Sequence, residues 1–196
     1  MDNHKIIIVN GTGGVGKDTF VNDCLNTIYF SQEKTIKEEL IKISNIDSVF
    51  IVKKIAKELG WDGNKTKANR KFLSDLKDLL TNWQNIPYQS TINKITETKQ
   101  RIRELDLPYS LIFVHSREPK EIQRYVSHYS KDNCLTLLVK NPNIPIIQSN
   151  HADKDIENYH YDFIVNNNGS LEDLYEKAKL FCYHVLVSNI NKYYYD

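Results

Sequence analysis

An α/β fold built on a central parallel sheet is predicted by three observations. Four short aliphatic runs, "KIIIVNGTGG", "SLIFVHSREP", "LTLLVKNPN" and "DFIVNNNGS", each end in polar or glycine-containing residues. The first, second and fourth are followed by sequence of helical periodicity, the pattern of parallel strands buried on both faces. The chain of 196 residues suffices for one well-buried domain and is short for two. In an open sheet of this kind ligands bind at the carboxyl ends of the strands, here marked by Gly11–Lys17, His115–Arg117, Lys140–Asn141 and Asn166–Gly169.

The elements follow in order. After the first run, Thr19 to Ile28 carries Phe20, Cys24, Leu25 and Ile28 along one side of a helix. Residues 45–105 form a long, mostly helical section, and in "RKFLSDLKDLLTNW" the residues Phe72, Leu73, Leu76, Leu79, Leu80 and Trp83 make an apolar face. After the second run Pro119 suits a first helical position, and Ile122, Tyr125, Val126 and Tyr129 follow at helical spacing. The two prolines of "NPNIPIIQSNHAD" make that segment a loop. The fourth run leads into "SLEDLYEKAKLFCYHVL", which opens on a Ser170-x-x-Asp173 cap and continues with Leu174, Ala178, Phe181 and Val185. The closing "NKYYYD" reads as a frayed or packed terminus and is assigned no role.

Composition narrows the function classes. Lys plus Arg number 26 against 25 Asp plus Glu, so the overall field gives no reason to expect long nucleic acid, and any anion must be met locally. Only five of the basic residues are arginines. The three cysteines, Cys24, Cys134 and Cys182, lie far apart with no C-x-x-C pair, as expected of reduced thiols in the cytoplasm. The N-terminal apolar run is too short for a signal-peptide core, and no run approaches the roughly 18 residues that span a bilayer. A membrane partner is therefore not expected; a homodimer stays open.

Four of the seven glycines fall between Gly11 and Gly16. Gly11-x-x-x-x-Gly16-Lys17, after an apolar strand and before a helix, is the phosphate-binding loop pattern in its proper context. Its glycines permit positive φ and close approach, so that successive N–H groups and the helix N-terminus surround the phosphates of a nucleotide. Lys17 bridges the outer phosphates. Asp18 stands where Ser or Thr ordinarily meets Mg²⁺; it either holds a Mg²⁺-bound water or caps the helix.

"GTGGVGKDTF", then "SREPKEI", "NHADKD" and "YDFIVNNNGSLEDL" resemble the phage-type deoxynucleoside monophosphate kinases. The resemblance covers residues 5–20 and 110–180 in order, and 30–105 only in placement and helical character. It implies a three-layer α/β/α P-loop kinase fold with a core at about 1–44 and 106–196. It also implies a helical acceptor-binding insertion at about 45–105 and a short lid at about 141–155. The activity so implied is transfer of the γ-phosphate of ATP, with Mg²⁺, to a nucleoside monophosphate, most readily a deoxynucleotide. Gly11, Gly13, Gly14, Val15, Gly16, Lys17, Asp18 and Thr19 are the candidate ATP-binding residues, Thr19 meeting the α-phosphate. Asn166 and Gly169 either face the adenine edge or form an ordinary turn before the capped helix. The chain departs from the family in having His115 and Ser116 ahead of Arg117 where Asp is common, Lys140 where Arg is usual, and His151-Ala152-Asp153-Lys154 for a His-x-Ser-Glu segment.

The remaining cations are read from their surroundings. In "NKTKANRK", Lys65, Lys67, Arg70 and Lys71 gather without an acid where a helix starts, against a macrodipole term of ~0.3–1 kcal/mol. An acceptor phosphate gripped by Arg70 would compensate, while Lys65 and Lys67 suit a solvated turn. Arg117 faces the same crevice and is assigned to the acceptor and to catalysis, with an ion pair to Glu118 or Glu121 as its alternative. A monophosphate oxygen is already anionic, so no general base is needed and His115 reads as a hydrogen-bonded strand-end residue. Lys140, assigned to catalysis, and Lys154 are the lid cations, with a plain surface loop equally open for Lys154. Two rivals stay open: a P-loop kinase for another small metabolite such as a coenzyme A precursor, and a nucleotide-binding regulatory protein without turnover.

Overall fold

Runs such as Ile6-Ile7-Ile8-Val9 are β-branched throughout, and residues of that type form strands where both faces can be covered. The computed structural model describes residues 4–30, 41–107, 109–144, 156–186 and 193–195. Its strands are β1 (His4–Asn10), β2 (Ile41–Asp47), β3 (Tyr109–His115), β4 (Cys134–Lys140), β5 (Phe163–Asn166) and β6 (Tyr193–Tyr195). They lie in the order β2-β3-β1-β4-β5-β6. β1 pairs in parallel with β3 (Ile6 opposite Ile112) and with β4 (Val9 opposite Leu137); β4 with β5 and β5 with β6 are parallel too.

Helices cover both faces. α1 (Lys17–Phe30) and α6 (Leu171–Leu186) lie on one, where Phe20, Cys24, Leu174, Ala178 and Phe181 are packed with Ile7, Val9, Phe113, Leu137 and Phe163. Ile6, Ile8, Ile112 and Val114 point to the opposite face and are equally buried. There α5 (Pro119–Tyr129), with Pro119 in its first turn, packs on β4 and buries Ile122, Tyr125 and Val126. The result is the expected three-layer α/β/α arrangement.

α6 begins as its sequence requires. Ser170 Oγ accepts from the Asp173 amide (3.1 Å) while Asp173 accepts from the Ser170 amide (2.7 Å), a reciprocal cap that uses two N-terminal donors. The Ser170 amide and then the Ser170 hydroxyl, which donates to the same carboxylate (2.8 Å), hold the Asp173 carboxyl below its ordinary range.

Two strands come from sequence that does not read as strand. β2 (IKISNID) is half polar and stands at one edge of the sheet, where one side needs no apolar cover. β6 is the closing tyrosine run, placed at the other edge; Tyr195 is packed against Phe163 and Phe181, so this terminus carries core and is not frayed.

The described residues divide into two compact units, the first 1–45 with 102–196 and the second 46–101. The second holds α2 (Phe50–Glu58), α3 (Lys67–Gln84) and most of α4 (Ile86–Glu104). α3 opens on Thr66, whose hydroxyl accepts from the Asn69 amide, and closes on Asn85 in the left-handed conformation. Its apolar face is narrower than the sequence indicates. Leu76 and Leu80 are buried with Val52 and Ala56 of α2, whereas Leu79 and Trp83 remain 64% and 68% exposed. One neighbouring helix covers one i, i+4 stripe; Leu79, about 60° to the side of Leu76, falls outside it, and Trp83 stands in the last turn of α3, beyond Leu80.

Phe181 is the centre of the first unit's core: its ring lies 5.1 Å from that of Phe163, 5.7 Å from Phe20 and 6.2 Å from Phe113. Phe181→Ala is expected to cost about 3–5 kcal/mol, read as a fall in the denaturation midpoint, against under ~1 kcal/mol for truncation of the exposed Leu79.

Candidate functional site

β1 is central, and the chain leaves it toward β2 on one side while it leaves β4 toward β5 on the other. The crevice outside the carboxyl ends of β1 and β4 is therefore the switch point at which open α/β sheets take ligands. Gly11 to Gly16 fill it. Gly11 has φ 151°, Gly14 86° and Gly16 91°. A Cβ on Gly11 would stand 2.5 Å from the Val139 carbonyl oxygen, so this glycine lets the end of β1 pass β4; one on Gly13 would meet nothing within 4 Å.

The amides of the loop differ in use. That of Gly11 donates to Asn10 Oδ1 (2.7 Å), so in this structure the amide is held within the loop and Gly11 contributes room. Gly13 and Gly14 form a turn, no carbonyl partner is found among the described residues for either of their amides, and α1 begins with the Phe20 amide donating to the Gly16 carbonyl. The Lys17 ammonium reaches back to the Thr12 carbonyl oxygen (3.4 Å), across the loop. Val15 is buried in the core and anchors the loop from below.

Two asparagines that the sequence reading did not single out hold this shape. Asn10 is wholly buried; its Nδ2 donates to the Arg117 carbonyl (3.0 Å) and to the Tyr161 hydroxyl (2.7 Å), which itself donates to the Ile156 carbonyl (3.0 Å). Burial, with a smaller opposing effect from Asn10, raises the Tyr161 hydroxyl far above its ordinary range, so it stays a neutral donor. Asn167 donates through Nδ2 to the Val15 carbonyl (2.9 Å) and through its amide to the Lys140 carbonyl (2.7 Å), joining the loop to the ends of β4 and β5. "VNNNGS" drew attention to the right segment, but nothing local distinguishes Asn167 from its neighbours.

The other candidates fall as follows. Asp18 and Thr19 are exposed in the first turn of α1, and Asp18 Oδ1 lies 3.7 Å from Nδ1 of His115 at the end of β3. Arg117 follows β3 and is half-buried, its carbonyl held by Asn10. Lys140 and Asn166 end β4 and β5 and line, with Thr12, Val15, Asn141 and Asn168, a cavity of about 530 Å³ beside the loop. Gly169 does not line it; a Cβ there would run into the Asp173 carboxylate, so this glycine serves the cap of α6. Arg70 lies in the second unit, in the first turn of α3, with Nε donating to the Lys65 carbonyl (3.1 Å). Lys154 and residues 145–155 of the expected lid lie outside the described residues.

No group of three or more His, Cys, Asp or Glu side chains that could hold a metal occurs among the described residues. The exposed Asp18 carboxylate at the head of α1 does suit Mg²⁺, which takes one or two protein oxygens and completes its shell with phosphate and water. No helix of the described residues is long and apolar enough to cross a membrane.

No family model matches the chain, and no curated protein does. Among solved structures it is similar to a Mycobacterium tuberculosis APS kinase, CysC, determined as a cysteine-to-alanine mutant. The TM-score is 0.41 and the identity 13%, over 90% of this chain and 95% of that one. The chemistry of the site rests on its own atoms.

The loop geometry separates two glycines that look alike in sequence. Gly11→Ala is expected to cost at least ~1–3 kcal/mol in thermal denaturation, from the strained φ and the collision with the Val139 carbonyl, while Gly13→Ala changes stability by no more than ~0.5 kcal/mol.

Proposed function

We propose that the protein is an ATP- and Mg²⁺-dependent kinase that transfers the γ-phosphate to a nucleoside monophosphate, with a deoxynucleotide as the foremost acceptor. One observation carries the reading: the glycine loop, with Lys17, closes the β1–β4 crevice directly beside a cavity of about 530 Å³. A loop of this form suits a run of phosphates, and the adjacent cavity suits the base and sugar attached to them.

In this reading the amides from Gly13 onward and Lys17 neutralise the donor phosphates, while Val15 and Asn167 keep the loop rigid. Rigidity matters because phosphoryl transfer is catalysed chiefly by alignment and by charges already in place when the transition state forms. Arg117 meets the phosphate that moves or receives, its turn fixed by Asn10. Lys140, exposed at the end of β4, supplies a further cation at the cavity mouth. Thr19 meets the α-phosphate, and Asp18 would hold Mg²⁺ through a bound water, the ion when bound spreading the negative charge of the outer phosphates. Arg70, in the second unit, binds the acceptor phosphate, and segment 141–155 acts as the lid. The acceptor oxygen is anionic before reaction, so no proton is removed from it.

The test is a coupled ADP-release assay over ribo- and deoxynucleoside monophosphates. ADP release with at least one monophosphate, lowered ~10²-fold or more in kcat/KM by Lys17→Ala, is the expected outcome. Arg70→Ala should raise the acceptor KM and leave ATP affinity unchanged. Tight ATP binding without turnover on any acceptor would replace the reading with that of a nucleotide-binding regulator. Turnover only on a hydroxyl acceptor would replace it with a metabolite kinase.

A further inference from the structure

The chain holds two Asn-Gly pairs, Asn10–Gly11 at the start of the phosphate loop and Asn168–Gly169 in "VNNNGS", between β5 and α6. Asparagine is among the thermolabile residues, and most so before glycine, where no side chain shields the following amide nitrogen from the carboxamide carbon. The structure treats the two pairs in opposite ways.

Asn10 is wholly buried and both ends of its carboxamide are engaged: Oδ1 accepts the Gly11 amide, and Nδ2 donates to the Arg117 carbonyl and the Tyr161 hydroxyl. With no water at hand to take the amide proton, this pair reacts only when the end of β1 opens. Asn168 is exposed and lies outside helix and strand. Its Oδ1 is 3.4 Å from the ammonium of Lys177 in α6, which also donates to the Asn166 carbonyl (2.8 Å). Among the described residues no hydrogen bond is found to Nδ2 of Asn168 or from the Gly169 amide. The nitrogen that would attack and the nitrogen that would leave are both open to water, and a cation stands near the oxygen on which negative charge gathers during attack.

We infer that Asn168 is a site of spontaneous deamidation, which turns a neutral amide in the lining of the cavity into a carboxylate. The Gly169 amide nitrogen gives its proton to hydroxide and bonds to Cγ of Asn168. The Cγ–Nδ2 bond breaks, Nδ2 takes a proton from water, and ammonia leaves a five-membered succinimide. Water then opens either imide bond, giving aspartate when it attacks Cγ and isoaspartate when it attacks the main-chain carbonyl. One water is consumed and one ammonia released, with no oxidant and no enzyme. Asn168 lines the cavity together with Thr12 and Lys140, so the new charge opposes a phosphate-bearing ligand there. That effect on binding rests on the nucleotide reading given above; the modification does not.

Peptide mapping by mass spectrometry, on the full chain aged folded at mildly alkaline pH and on a sample aged in urea, tests the assignment. In the folded protein position 168 is expected to convert at least ~10-fold faster than position 10, with aspartate and isoaspartate as products and a rate that rises with pH. In urea the two pairs should convert at similar rates. Calorimetry with ADP and tripolyphosphate reads the consequence, with the denaturation midpoint as the folding control. Asn168→Asp, which carries the charge of the product, is expected to weaken both ligands by about two- to fivefold at low salt and by less at high salt. The affinity of the unaltered protein should fall with ageing, and that of Asn168→Gln, which closes a six-membered ring far more slowly, should not drift. Equal rates at positions 168 and 10 in the folded chain, or conversion in urea alone, would overturn the assignment. Unchanged affinity for both ligands in Asn168→Asp would overturn its consequence for the cavity. An unaltered protein that binds neither ADP nor tripolyphosphate would overturn the nucleotide reading, while the mass spectra still decide the modification.

Discussion

The site depends on one close approach, that of the backbone at Gly11 to the carbonyl oxygen of Val139. β1 and β4 are neighbours in the sheet, and the chain must leave β1 across the end of β4 to begin the loop. Any side chain at Gly11 would force the strands apart or push the loop out of the crevice. The residue on either side of this contact is engaged: the buried Asn10 takes the Gly11 amide, and the carbonyl of the exposed Lys140 takes that of Asn167. The path of the loop is set from both strands before any ligand arrives, which is the condition under which backbone amides stabilise charge without reorganising.

Asn10 extends this constraint beyond the loop. Its amide ties the end of β1 to the turn after β3 at Arg117, and through Tyr161 to Ile156, which borders the cavity. A buried side chain that spends both donor hydrogens on separate chain segments gives no stability to spare, since leaving either partner unpaired costs about 1–3 kcal/mol. What it does is fix three segments relative to one another at the carboxyl ends of the strands. The core beneath is indifferent to ligand chemistry and simply holds α1 and α6 in place through Phe20 and Phe181.

The parts legible in the sequence are those whose cause is local. Glycines at fixed spacing after a β-branched run specify the loop because only the backbone is involved, and Pro119 and Ser170–Asp173 specify helix starts for the same reason. Asn10, Tyr161, Asn167 and Lys177 were not legible: the first three act on partners 107 to 152 positions away, and Lys177 acts on backbone and amide groups that any lysine in the helix could equally have missed. Polar edge strands escaped notice because β2 lacks a continuous apolar run and β6 has only three residues. The width of the α3 stripe depends on how many neighbours the helix has, which periodicity does not encode.

The central claim is that amides of residues 13 onward, and not that of Gly11, converge on phosphate. Amide-resolved NMR of the ¹⁵N-labelled protein titrated with ADP addresses it directly. The account predicts large downfield shifts for the amides of Gly13, Gly14 and Gly16, with that of Gly11, already held by Asn10, moving least. Shifts confined to other parts of the chain, or a Gly11 amide that moves with the rest, would contradict it.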